Sequence, residues 1–214
     1  MRYLIVCGGK IDKEFGLNEI KTDGIDAIIA ADSGMDFLYE NGVTPDIIVG
    51  DFDSATTKAL EFFERKGQTE IHRLNPIKDD TDTEYAIRLA IREGARSIVM
   101  LGATGSRIDH VLGNISLLGI GLESGTDISI IDTNNRIRMA DKPVTIEKSA
   151  QYGRFVSLIA VTDDNEVSLR GFKYPVTDYS FDRSTSLGIS NEIVDDHALI
   201  DIHRGKFIII ESKD

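Results

Sequence analysis

From Tyr3 to about Ile131 one rhythm recurs: a short apolar run, then glycine or aspartate, then a helical pattern. Tyr3–Val6 leads into Gly8-Gly9, and Asp26–Ala31 ends in Ala31-Asp32-Ser33-Gly34 ahead of a helix over Met35–Glu40 that stops at Gly42. Ile47–Val49 runs into Gly50-Asp51-Phe52-Asp53-Ser54. Thr56–Lys66 reads as a helix closed by Gly67, and Glu70–Arg73 as a short strand. Thr81–Glu93 is the clearest helix, with Gly94 just past its end. Ser97–Leu101 is followed by Gly102-Ala103-Thr104-Gly105, a helical stretch to about Leu118, and a last strand at Ile128–Ile131. Strands alternating with helices predict an α/β domain over 1–135, a mostly parallel sheet with flanking helices.

After about Asp132 the rhythm changes. Short alternating segments follow at Arg136–Ala140, Val144–Glu147, Arg154–Ala160, Glu166–Leu169, Glu192–Ile202 and Lys206–Ser212. Turn formers separate them, among them Thr133-Asn134-Asn135, Asp163-Asp164-Asn165 and Arg204-Gly205. This pattern predicts an all-β second domain over 136–214, a sandwich or flattened barrel. The boundary falls within 130–145, where the rhythm changes.

The net charge of −12 argues against nucleic acid or an anionic membrane as partner. No apolar run approaches the roughly 20 residues of a membrane helix. The single cysteine, Cys7, rules out an intrachain disulfide and makes a reducing cytoplasm the expectation. At the end of a strand pattern it reads as a small packed residue rather than a nucleophile.

Three polar clusters follow predicted strand ends, where open α/β sheets bind ligands. In Gly50-Asp51-Phe52-Asp53-Ser54, extended backbone would aim Asp51 and Asp53 at one point with Phe52 turned back. Converging carboxylates repel unless a cation joins them; the plainer alternative is a turn whose aspartate caps the next helix. In Lys78-Asp79-Asp80-Thr81-Asp82-Thr83-Glu84, Thr81 and Glu84 have capping-box spacing, and acids suit the positive end of a helix. Three aspartates in four positions still exceed what one cap needs, and Asp82 is the best candidate to complete a metal site with Asp51 and Asp53. In Gly102-Ala103-Thr104-Gly105-Ser106-Arg107-Ile108-Asp109-His110, a glycine loop before a helix offers backbone N–H groups to phosphate. It is not a P-loop, because the Gly-Lys-Ser/Thr is absent. Arg107 adds a planar phosphate donor, Asp109 another carboxylate, and His110 reads either as a general base or as a hydrogen-bonded helix residue.

These motifs, together with Leu112-Gly113-Asn114 and Ser186-Leu187-Gly188-Ile189-Ser190-Asn191-Glu192, occur in an order and spacing that closely resemble the thiamine pyrophosphokinase family. The resemblance covers nearly the whole chain. It implies transfer of pyrophosphate from ATP to the hydroxyethyl group of thiamine with release of AMP, and a homodimer with each active site between subunits. It matches Asp51, Asp53 and Asp82 to Mg²⁺ ligands, with Asp53, Asp82, Arg107 and Asp109 as the catalytic set. It sets Asp79, Thr104, Arg107, Asp109 and Gly34 around ATP. It sets Ser186, Ser190, Asn191 and Asp32 toward thiamine, the first three presented by the partner subunit. Asp32 and Gly34 flank a substrate-facing turn in which the family often has glycine where this chain has Ser33, so a somewhat different turn is expected.

An acidic protein holds a triphosphate through divalent cations, and it attracts the thiamine cation. Catalysis would then rest on positioning and charge neutralisation at the β-phosphorus. Either Asp109 or Asp79 would take the hydroxyl proton. Two rival readings use the same acids: a metal-dependent nucleotide phosphohydrolase, and a regulator that binds thiamine or nucleotide without turnover.

Overall fold

Strands buried on both faces of a parallel sheet need near-continuous apolar runs, and the central N-terminal strands have them, whereas the edge strand Glu70–Arg73 does not. In the computed structural model, which describes residues 1–52, 56–75 and 80–214, the chain divides into two units, Met1–Thr133 and Asn134–Asp214. The first unit runs β1 (Arg2–Val6), α1 (Lys13–Ile20), β2 (Ala27–Ala31), α2 (Gly34–Glu40), β3 (Ile47–Gly50), α3 (Thr57–Lys66), β4 (Glu70–Arg73), α4 (Asp82–Arg92), β5 (Ser97–Leu101), α5 (Ile108–Ser124) and β6 (Asp127–Ile131). Its strands lie in the order β6-β5-β1-β2-β3-β4, and every pair is parallel. From β1 the chain steps outward to β4, then returns to β5 on the other side of β1. The sheet therefore has a topological switch point between β1 and β5, where ligands gather beyond the carboxyl ends. Leu4, Ile5, Val6, Ile29, Ile48, Ile98 and Met100 are fully or almost fully buried along these strands.

Local signals account for most helix ends. Thr81 caps α4, its hydroxyl accepting from Glu84 N at 3.1 Å. The Glu84 carboxylate pairs with Arg88 one turn on instead of turning back to the cap. Gly67 and Gly125 end α3 and α5 in the left-handed conformation. One helix was not read from the sequence and another was read short. The segment α1 carried no clear helical pattern because Gly16 interrupts it; a Cβ there would lie 2.7 Å from the Phe37 ring, so glycine permits a close approach while Asp12 caps the helix. Helix α5 continues past Leu118 to Ser124, because Gly121 lets it settle on β6, where a Cβ would meet Thr126 O at 2.5 Å.

The second unit is antiparallel. It contains β7 (Asn135–Ala140), β8 (Val144–Glu147), β9 (Phe155–Ala160), β10 (Glu166–Arg170), β11 (Val176–Ser180), β12 (Asn191–Glu192), β13 (His197–Arg204) and β14 (Phe207–Ser212). Strands β12-β9-β14-β7 form one layer and β11-β10-β13-β8 the other. Val156, Leu158, Phe207 and Ile209 from the first layer and Val167, Leu169, Ala198 and Ile200 from the second share one core. That is sandwich packing with inward-facing residues at period two. The stretch expected as one strand over Glu192–Ile202 is two, broken at Asp195-Asp196, and β11 lacked enough apolar residues to be read from sequence.

Among the described residues no helix is long and apolar enough to cross a membrane.

Candidate active site

The carboxylates of Asp32, Asp51 and Asp82 come together, each offering an oxygen within 4.8 Å of the others. Asp32 follows β2, Asp51 follows β3 and Asp82 opens α4, so three separate stretches converge at the carboxyl end of the sheet. All three are half-buried. At an effective dielectric constant of about 20, two unit charges at this spacing repel by at least roughly 3 kcal/mol. Three hard oxygen donors at this separation suit a hard divalent cation. The N-terminus of α4 offsets part of the charge but only within its first turn.

The sequence groups Asp51 with Asp53 and Asp82, and the family resemblance places Asp32 toward thiamine. Asp53 and Asp79 lie outside the described residues. Asp32 takes a place in the cluster, and a signal for it existed: it follows its strand as Asp51 follows the next. The extended backbone expected between Asp51 and Asp53 is not found at Phe52, whose φ is +66°. The turn after β2 is also explained. Ser33 has φ −62°, which any residue adopts, and the left-handed residue is Asp32 at +48°. Aspartate tolerates that region better than most. Gly34 is required for space: a Cβ would sit 1.9 Å from Val6 O.

Beyond β5, Gly102 has φ +66° and passes so near β1 that a Cβ would lie 2.4 Å from Cys7 O. Thr104 donates to Asp132 Oδ2 at 2.8 Å, and Asn114 Nδ2 donates to Ala103 O at 2.8 Å. These bonds fix the loop from β6 and α5. Asp132 was not singled out by the sequence reading. Arg107 and Asp109 form an exposed two-bonded pair at the start of α5, Nη2–Oδ2 2.6 Å and Nε–Oδ1 3.2 Å. The Arg107 guanidinium holds the Asp109 carboxyl down to about 2. The Cys7 thiol is pushed up to about 12 by burial, which fits packing and not nucleophilic use.

In the second unit, Ser186 and Ser190 are exposed and Asn191 is buried. Ser190 sits at φ +60° and its N–H donates to Ser157 Oγ at 3.0 Å. The Asn191 amide is committed to Tyr174: Oδ1 accepts from Tyr174 N at 3.1 Å and Nδ2 donates to Tyr174 O at 2.9 Å. The Tyr174 side chain stays exposed. A single aromatic in Lys173-Tyr174-Pro175 gave no sequence signal.

Residues 21–130 match the family model for the thiamin pyrophosphokinase catalytic domain, and residues 143–207 match the model for the thiamin pyrophosphokinase vitamin B1 binding domain. A thiamine pyrophosphokinase of Bacillus subtilis is 35% identical over 188 residues, 87% of each chain. The chain belongs to the thiamine pyrophosphokinase family. A crystal structure of the Bacillus subtilis thiamine pyrophosphokinase superposes with a TM-score of 0.89 at 32% identity over all of both chains. That from Geobacillus thermodenitrificans gives 0.86 at 29% identity, over 100% of this chain and 98% of the other. The yeast thiamin pyrophosphokinase, 18% identical with a TM-score of 0.80 over 99% of this chain and 86% of its own, shares the fold. Both units of this chain thus have counterparts in the family, one in each of its two models.

Proposed function

We propose that this chain transfers pyrophosphate from ATP to thiamine, giving thiamine diphosphate and AMP, with Asp32, Asp51 and Asp82 as a magnesium centre. The observation that carries the reading is the meeting of these three carboxylates at the carboxyl end of a parallel sheet. Asp53, adjacent in sequence to this centre, and Asp79 stay in the proposal as a further ligand and an ATP-facing acid. A bound Mg²⁺ would neutralise polyphosphate oxygens and orient the β-phosphorus.

The chain's own residues supply the rest. The loop Gly102–Gly105, fixed through Thr104 and Asn114, offers backbone N–H groups to the phosphates. Arg107, planar and exposed, is available to charge developing on the transferred group. Asp109, held down to about 2, is a weak base near neutrality; its role is to orient Arg107. Ser186 and Ser190 face solvent on the unit whose family model is named for vitamin B1, and Asn191 serves that site by holding Tyr174. The exposed Tyr174 ring suits a cationic aromatic substrate.

The reading extends to a cytoplasmic homodimer with each active site shared between subunits. The exposed Ile108 and Leu112 on one side of α5 support a protein partner, and the unpaired Cys7 suits a reducing compartment.

The test is AMP release with thiamine and ATP, with and without EDTA. AMP should appear only when thiamine and Mg²⁺ are both present. Inorganic phosphate released without thiamine would instead mark a hydrolase.

A further inference from the structure

The acidic cluster is built around a backbone outlier. Phe52 follows Asp51 directly and has φ +66°, a region that bulky side chains seldom enter. Such conformations persist where surrounding structure over-determines them, and three features do so here. A Cβ on Gly50 would lie 3.1 Å from Asp32 Cα and 3.2 Å from Phe52 Cε1, so the bare glycine lets the ring reach back over the end of β3 beside Asp32. Arg73, the last residue of β4, places its guanidinium carbon 5.4 Å from the Phe52 ring centroid, within cation–π range. Arg73 is in turn tied to Glu64 of α3 by an ion pair. The backbone is stitched at the same level: Asp32 N donates to Val49 O at 2.7 Å, and Leu74 N donates to Gly50 O at 2.9 Å.

We infer that Phe52 and Arg73 are positioning residues for the acidic cluster: the Arg73–Phe52 stack locks the left-handed bend that aims the Asp51 carboxylate at those of Asp32 and Asp82. The inference rests on the cluster's reading as a divalent-cation site. It makes a prediction opposite in sign to simple electrostatics. If Arg73 acted only as a nearby positive charge, its removal would strengthen cation binding by lowering repulsion. If it acts by holding Phe52, its removal weakens binding because the ligands lose their geometry.

The probe is Mn²⁺ binding to the purified chain, followed by the electron paramagnetic resonance signal of free Mn²⁺, with thermal melting in the absence of metal as the fold control. Arg73→Ala should weaken Mn²⁺ affinity about tenfold, the lower end of what loss of outer support costs a metal site, with the melting temperature nearly unchanged. Phe52→Leu, which keeps an apolar side chain but no ring, should do the same. Arg73→Lys, charged but without the planar guanidinium, should recover only part of the loss. Wild-type or tighter binding in both Arg73→Ala and Phe52→Leu overturns the inference, as does weakening matched by a lowered melting temperature. Asp51→Asn is the separate control: if it binds Mn²⁺ like the wild type, the metal reading itself falls.

Discussion

Two groups of buried or half-buried carboxylate differ in what lies nearest to them. Glu211, on β14, has no exposure at all and is surrounded by donors: Arg136 at 2.7 and 2.9 Å, Arg138 at 3.2 Å and the Tyr152 N–H at 3.0 Å. Asp32, Asp51 and Asp82 face one another within 4.8 Å. A buried charge that the protein has neutralised itself belongs to the architecture. Carboxylates brought together at the carboxyl end of the sheet, with their own repulsion as the cost, are what the proposed divalent cation would offset.

The contrast is broken most directly by neutralising one member of each group. Asp51→Asn should cut kcat/KM about a thousandfold, the scale of losing one preorganised charge stabiliser, while the melting temperature without metal holds or rises as repulsion is relieved. Steady-state AMP release and differential scanning calorimetry read the two effects. An active Asp51→Asn enzyme would return the cluster to the status of a turn.

Glu211→Gln should do the reverse. Removing the charge of a buried ionic group takes away the carboxylate that Arg136 and Arg138 share and costs about 3 kcal/mol or more. For a chain of this size that is a melting temperature lower by roughly 6–12 °C. The surviving folded enzyme should keep its turnover number, measured below the transition. A drop in turnover without a drop in melting temperature would move Glu211 from architecture to chemistry.

The same contrast explains what the sequence revealed. Asp51 and Asp82 were legible because each follows a strand–glycine or cap signal with more acid than the local structure needs. Asp32 carried the same positional signal, but as a lone aspartate in Asp32-Ser33-Gly34 it had no second acid beside it, and the resemblance set it toward thiamine instead. Phe52 was misread because period-two alternation presumes extended backbone, and nothing in Gly50-Asp51-Phe52 announces φ +66°. The parallel-sheet strands were plain from their apolar runs, whereas α1 was hidden by Gly16, whose reason is a tertiary contact with Phe37. Glu211 and Asn191 were invisible as architecture, since their partners Arg136 and Tyr174 are distant in sequence.

Between the two extremes stands Asp109, exposed like a surface acid yet given one dedicated partner by the protein. The Arg107 guanidinium, donating through Nη2 and Nε, is the main cause of its low pKa, with the His110 backbone N–H adding to it. Because the folded value lies below the ordinary carboxylate value, the pair contributes fully above about pH 4 and fades as pH falls toward 2. Full exposure makes this the smallest effect of the three, so a carboxyl-carbon NMR titration is a better probe than melting. Asp109 should titrate near 2 in the wild type and move up to about 4, the unperturbed value, in Arg107→Gln. A wild-type Asp109 that already titrates near 4 would mean that the pair is open in solution. Arg107 would then stand free for a phosphate, and Asp109 would be an ordinary surface acid.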